Sequence, residues 1–456
     1  MLLLQELLGT AASVVWGAPM VGALLATHVF LTVRLRGIQR YLPKAIKLSL
    51  TREKGAAGDV SPFAALSTAL AATIGTGNIV GVATAIAAGG PGAVFWMWLS
   101  GIFGMATKYT EALLSVKYRV KKPDGEIAGG PMYVMERGLG NRRMGRFFAL
   151  SAALAALGIG AMVQSNSAAV MLDDVFGAPR VMCGAAAAIL TGCVIVGGAK
   201  RITKVCNAVI PAAGAVFIAC NLFVLALGWQ KIPSTLMLIM SSAFSGAAPA
   251  AGFAGAAAKD AVRYGVSRGL FSNEAGLGSS PIVDAAACTS NPVRQALVSS
   301  TGVFWDTVVL AALTGIMIVN SGAWLGGGDG GAFTAAAFAK IPVAGPALLA
   351  ASLFTFALAT NIGWFFYAQK AVEYLGPRAV GPYKALYLLL IFAGSFAPMD
   401  AVWSASDIFN AMMAAPNLIS VLLLSGVAAA ETKKRLGGDG AGTARKRRAK
   451  QEKRRI

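Results

Sequence analysis

Gly75-Thr76-Gly77-Asn78 lies near the centre of an apolar run from Ser61 to Gly89 that is otherwise long enough to cross a bilayer. Two glycines and an asparagine weaken a helix at that point. A second interruption, Gly269-Leu-Phe-Ser-Asn-Glu-Ala-Gly-Leu-Gly-Ser-Ser-Pro281, opens the apolar stretch 254–290. In hydrocarbon, unpaired backbone amides and carbonyls are expensive. Broken backbone therefore persists only where it lines a cavity or meets a ligand. Each break offers free amides where one half-helix starts and free carbonyls where the other ends. The amide end suits an anion. This is the binding chemistry of a secondary transporter.

The elements that must position these breaks are membrane helices. The chain has 456 residues, of which 56% are hydrophobic and only 13% charged, which predicts an all-α polytopic membrane protein. Residues 1–10 lack the basic start of a signal peptide, so the first apolar run is expected to be retained. Apolar runs and their breaks predict eleven spans, at about 13–35, 61–89, 91–118, 146–171, 180–198, 204–228, 254–290, 295–320, 345–372, 383–398 and 401–430. Pro416 either kinks the last span or divides it. With the amino terminus outside, the inner connections and the tail hold 33 Lys and Arg; the outer connections hold three, Arg180, Lys231 and Lys340. That asymmetry predicts an outside amino terminus and a cytoplasmic carboxyl terminus. The two broken spans are the second and the seventh, and they run in opposite directions. A 5+5 inverted repeat follows, with one extra N-terminal span and a site where the breaks meet. The expected plan is one transmembrane domain over 1–430: extra span 13–35, repeat one 61–228 and repeat two 254–430. Residues 431–456 form a basic cytoplasmic tail.

Other chemistries find little support. The five cysteines have no metal-ligand spacing, and the single histidine is His28. No phosphate-binding loop or Ser/His/Asp set is present, so an enzyme is not expected. The net charge of +20 is concentrated in the tail, whose expected partner is anionic membrane lipid and not nucleic acid. No obligate protein partner is implied. Gly326–Gly331 reads as a flexible outer connection. Several charged residues fall inside spans and are functional candidates. Lys108 and Glu111, three apart on one helix, are expected to pair, and Asp260 and Arg263 share that spacing. Glu274 could bind freed amides, pair with Arg268, ligate a cation or carry a proton; the first two, structural, readings are favoured. Asp306 could face either the site or neighbouring helix ends.

The stretches GTGNIVGVATAIAAGGPGAVFWMWLSGIFGMATKYTEALLSVKYR (75–119) and RYGVSRGLFSNEAGLGSSPI (263–282) strongly resemble the alanine or glycine:cation symporter family. GGPMYVMERGLG (129–140), LGIGAMVQSNS (157–167) and the segment 403–424 match less closely. Ala161 and Asp284 depart from the family pattern, which often carries Asn and His there. The resemblance implies a leucine-transporter-like fold and sodium-coupled uptake of small neutral amino acids, alanine or glycine, across the cell membrane, with Na+ as coupling ion. For such a zwitterion, the amides of Thr76, Gly77 and Asn78 would receive the carboxylate, and the carbonyls of Phe271 and Ser272 the ammonium. Gln164, in a polar patch of span 4, is placed against the substrate by the resemblance; an interhelical hydrogen bond is the alternative. Trp364 would wall the pocket. Small residues at both breaks, Gly276 among them, imply a cramped one. Sodium needs hard oxygen ligands. The carbonyls of Ala72 and Ile74 and the hydroxyls of Thr355 and Thr360 are the candidates, with Thr360 favoured. A proton-coupled carrier using Glu274 and a channel are the competing readings.

Overall fold

The computed structural model describes residues 2–51, 53, 55–245, 258–326, 330–398 and 400–436. Helices dominate. The described residues form one small sheet, the hairpin of Val120–Lys121 with Ile127–Ala128.

The first broken span begins where Ser61 caps the helix Pro62–Thr73, its Oγ accepting from the Ala64 amide at 3.1 Å. Pro62 suits the first helical turn because its missing N–H is not needed there. The helix stops after Thr73. It resumes as a wide, π-type turn at Gly77–Gly81 that runs into Val82–Gly89, and the two halves are bent by 55°. The second broken span contains the helix Ala258–Asn273; residues 254–257, its expected start, lie outside the described residues. The break comes later than the glycines suggested. Gly269, Phe271 and Ser272 are still helical, and the chain leaves the helix at Glu274, which has a φ of 53°. Gly276 and Gly278 follow, with φ of 94° and 82°. Such values favour glycine because a β-carbon would clash with the backbone. Only a short helix, Pro281–Asp284, follows this break.

Beyond it, Ala287 forms a parallel bridge with Val60, so the end of one broken span lies beside the start of the other. Arg119 holds this junction, donating to the carbonyls of Ala57, Ala285, Ala287 and Thr289 at 2.7–3.1 Å. Ser115 donates to Pro281 O at 2.6 Å.

The intervening helices are Gly92–Lys117, Arg142–Phe176, Arg180–Ile195, Gly198–Leu227, Pro292–Ser321, Gly345–Leu375, Val380–Gly394 and Asp400–Leu423. By length and composition, five helices, or seven spans if two bent pairs are counted, suit a membrane crossing among the described residues. Arg180–Ile195, with 16 residues, and Val380–Gly394, with 15, are shorter. Pro416 sits inside Asp400–Leu423 without dividing it. The structure adds helices where the sequence suggested none: Leu2–Val15, Ile232–Ser245 and Gly330–Phe338. The last begins in the segment expected to be a flexible connection. Ile232–Ser245 packs on Gly92–Lys117, where Trp96 donates to Ala243 O at 2.9 Å.

The helices Ala258–Asn273 and Gly92–Lys117 approach closely through a GxxxG pair. A β-carbon at Gly265 would stand 2.3 Å from Ala93 O, and one at Gly269 2.4 Å from Ser100 Oγ. Small residues let membrane helices touch backbone to backbone. Gly265→Val should therefore destabilise the protein by about 1–3 kcal/mol through overpacking. Gly22→Ala, where no atom lies within 4 Å of the added carbon, should change little. Thermal unfolding in detergent checks both; equal midpoints for the two variants would refute the close-packed interface.

Candidate functional site

The two breaks meet. A β-carbon at Gly77 would stand 3.5 Å from the Cα, Cβ and Oγ of Ser272. Between them lies Asp306, buried on a π-type turn, Phe304–Ala311, within Pro292–Ser321. Its Oδ1 accepts from Asn78 Nδ2 at 3.0 Å. Its Oδ2 accepts from Ser272 Oγ at 2.9 Å and Thr307 Oγ1 at 2.7 Å. The Asn78 amide also donates to Asp306 O at 3.0 Å. One carboxylate thus ties the start of the second half-helix of one span to the last turn of the first half-helix of the other. The sequence left Asp306 between two roles; the structure gives it both neighbours.

The second break is held from the helix Gly92–Lys117. Lys108 Nζ donates to the Asn273 carbonyl at 3.1 Å, at the helix end. Glu111 Oε1 accepts from the Gly276 amide at 3.1 Å and from Asn417 Nδ2. Lys108 and Glu111 therefore do not spend themselves on each other as a simple pair. The ammonium takes the loose carbonyl and the carboxylate takes a loose amide. Glu274 accepts from Ser279 and is reached by Trp364, not by Arg268. Arg268 instead lies over the Phe271 ring, 5.9 Å from its centroid.

The amides diverted this way free two carbonyls. The Ala275 N–H, which would close the helix on Phe271 O, goes to Asn273 Oδ1 at 2.9 Å. The Gly276 N–H, which would close on Ser272 O, goes to Glu111. Phe271 and Ser272 are thus left with carbonyls lacking their helical donors.

At the first break, Thr360 Oγ1 lies 3.0 Å from Ala71 O, 3.3 Å from Ile74 O and 2.9 Å from Phe356 O. The carbonyl turned toward it is that of Ala71, one residue before the expected Ala72, whose backbone packs on Gly363. Gln164 Oε1 accepts from the Thr76 amide at 3.4 Å, while its Nε2 donates to Ile159 O at 3.2 Å. Gln164 is thus an interhelical bond at the break itself. A β-carbon at Gly75 would stand 2.7 Å from Thr360 Oγ1 and 3.0 Å from Gln164 Oε1, so only glycine fits between them. Thr76 Oγ1 is buried without a hydrogen-bond partner.

Two expected residues fall elsewhere. Thr355 bonds its own helix at Ala351 O, 2.7 Å away, and lines an outer groove against Gly198–Leu227. Gly276 faces Leu24 and Leu418; a β-carbon there would stand 2.5 Å from Leu24 Cδ2. Its glycine serves packing and the positive φ, not a pocket wall. Trp364 is buried against Gly160 and Tyr367.

Broken spans that face one another at buried polar groups give a helical, multi-pass membrane protein a leucine-transporter-like fold. Two solved structures share the fold: MhsT in complex with L-phenylalanine, at 16% identity and TM-score 0.58, covering 83% of this chain and 99% of that one, and a Na+-coupled sialic acid symporter, at 13% identity and TM-score 0.50, covering 93% and 86%. The sequence profile of the sodium:alanine symporter family matches residues 1–447, and the chain belongs to that family. It is 46% identical over 440 residues to the sodium/alanine symporter AgcS of Methanococcus maripaludis, covering 94% of this chain and 96% of that one. It is 34% identical over 410 residues to the amino-acid carrier protein AlsT of Bacillus subtilis, covering 89% and 86%.

The Asp306 bridge has a measurable signature. Asp306→Asn places an amide against buried hydroxyl donors and should cost about 1–3 kcal/mol of stability. Ser272→Ala should then cost less in the Asp306→Asn background than in the native protein, because its partner is already altered. A double-mutant cycle on unfolding midpoints tests this; strictly additive costs would show that the carboxylate does not join the breaks.

Proposed function

We propose that this protein imports small neutral amino acids, alanine and glycine, by sodium-coupled symport with alternating access. The observation that carries the reading is the Thr360 hydroxyl amid three carbonyls. A hydroxyl has one proton, so it can satisfy one of the three. The other two turn their negative ends toward the Thr360 oxygen. A cation relieves that arrangement, and hard oxygens of this kind suit Na+. Ala71 O, Ile74 O and Thr360 Oγ1 would hold it.

The substrate would lie between the breaks. Its carboxylate would meet the amide end at Thr76, Gly77 and Asn78, with Thr76 Oγ1 as a further donor. Its ammonium would meet the carbonyls of Phe271 and Ser272, in the field of Asp306. Gly75 and Gly77 leave little room at this place, which favours small side chains. We place the elements in a 5+5 inverted repeat, spans 2–6 and 7–11 of eleven, with the amino terminus outside. The bias of basic residues toward one set of connections supports that orientation. Alternating access would rock one group of helices about the breaks.

Uptake of labelled alanine into proteoliposomes should require inward sodium and persist when the pH gradient is collapsed. Undiminished uptake without sodium would overturn sodium coupling and favour a proton carrier. Thr360→Val should raise the sodium concentration for half-maximal uptake, with expression unchanged. In a binding assay, glycine should displace alanine while leucine and phenylalanine should not. Strong displacement by leucine would show a roomier pocket.

A further inference from the structure

The first and last spans end together at a concave basic pocket of about 320 Å³. It is lined by Arg34, Arg36, Arg40 and Lys433, with Tyr41 and the apolar Leu35. No acidic side chain lines it, and among the described residues none of the four cations is ion-paired. Arg36 holds a φ of 55°, in the left-handed region that a non-glycine residue rarely adopts. With Gly37 at 68° it makes the turn that bends Pro19–Arg34 against Ile38–Ser49 by 66°. Backbone strain of this kind marks functional places.

A second feature lies one helical turn away. Along the same two helices runs an apolar groove of about 800 Å³, lined by Pro19, Ala23 and Phe30 on one side and Ala415, Leu418 and Leu422 on the other. Arg34 joins the two features, its guanidinium lying 5.7 Å from the centroid of the Phe30 ring. From Pro19 to Phe30 the groove follows roughly 16 Å of helix, at about 1.5 Å per residue. That is the scale of much of an acyl chain.

We propose that this composite site binds one anionic phospholipid, its phosphate in the basic pocket and an acyl chain in the groove. Guanidinium groups match phosphate oxygens in pairs, and Arg is the side chain suited to that geometry. A bias of positive charge toward one membrane face needs only numbers. Here four cations line one hollow, and an apolar groove begins one helical turn from it, the order in which a phospholipid presents its parts. The chain's own tail is excluded as occupant by charge: residues 437–456 carry eight Lys and Arg against two acids.

The test uses the purified full-length protein in detergent. Native mass spectrometry and thermal unfolding are compared with phosphatidylglycerol, phosphatidylcholine and inorganic phosphate as probes. Phosphatidylglycerol should be retained in preference to phosphatidylcholine, and should raise the unfolding midpoint where inorganic phosphate does not. Arg36→Gln and Lys433→Gln should each weaken retention of phosphatidylglycerol about fivefold, the usual effect of one cation near an anionic lipid surface. Ala23→Trp, which fills the groove without touching a charge, should weaken it as well. Neutralising the basic residues of 445–455 should leave it intact. Equal retention of the two lipids, a preference that survives loss of Arg36 and Lys433, or a preference that disappears with the tail charges would overturn the site. Stabilisation by inorganic phosphate equal to that by phosphatidylglycerol would overturn the lipid assignment. Were the Arg36 variant to fold poorly, the Lys433 and Ala23 variants would still decide the matter.

Discussion

Everything at the centre of this protein rests on how an interrupted helix keeps its loose backbone groups paired. Between Asn273 and Ser280 the backbone leaves the helix in buried surroundings. Lys108 and Glu111 do the pairing. One side chain covers the carbonyl end and the other the amide end, from a single neighbouring helix. A three-residue spacing puts both groups on the same face, one turn apart. Without them, the break would expose a helix terminus to a medium that offers no substitute. The same diversion of amides leaves the carbonyls of Phe271 and Ser272 without their helical donors.

Charge around the breaks is lopsided. Lys108 lies within electrostatic reach of four buried acidic groups, Glu111, Glu274, Asp284 and Asp306. Asp284 is satisfied by Gln295 and Ser299, at 2.8 Å and 2.6 Å, and Asp306 by Asn78, Ser272 and Thr307. Neutral donors stabilise these groups but supply no counter-charge. The acidic groups here thus outnumber the one ammonium beside them.

Much of this was legible in the chain. Gly75-Thr76-Gly77-Asn78 marked a break because two glycines and an asparagine weaken a helix, and the helix stops there. Glycines alone misplaced the second break by several residues. Gly269 is needed for close packing on Ser100, whereas Gly276 and Gly278 are needed for the turn. Composition cannot separate the two uses. Thr355 and Thr360 looked alike as membrane threonines, and only their angular positions on one helix divide a surface groove from the break. Gly276 was credited to a pocket although its neighbours are Leu24 and Leu418. The roles of Asp306 and Glu111 were hidden for another reason. Each is set by a partner far along the chain, and no local pattern encodes that meeting. The π-type turns at 77–81, 156–162 and 304–311 add a further obstacle. Each shifts the helical face that later residues present, so a 3.6-residue count carried through them points the wrong way.

The GxxxG contact and the Lys108–Glu111 clamp act on the same two helices, Gly92–Lys117 and Ala258–Asn273. One leaves no space between their backbones. The other would strand a buried ammonium and a buried carboxylate if they parted. These helices are consequently fastened to each other at two places. If access alternates as proposed, its hinge runs outside this pair, and a covalent cross-link placed within it should leave transport intact.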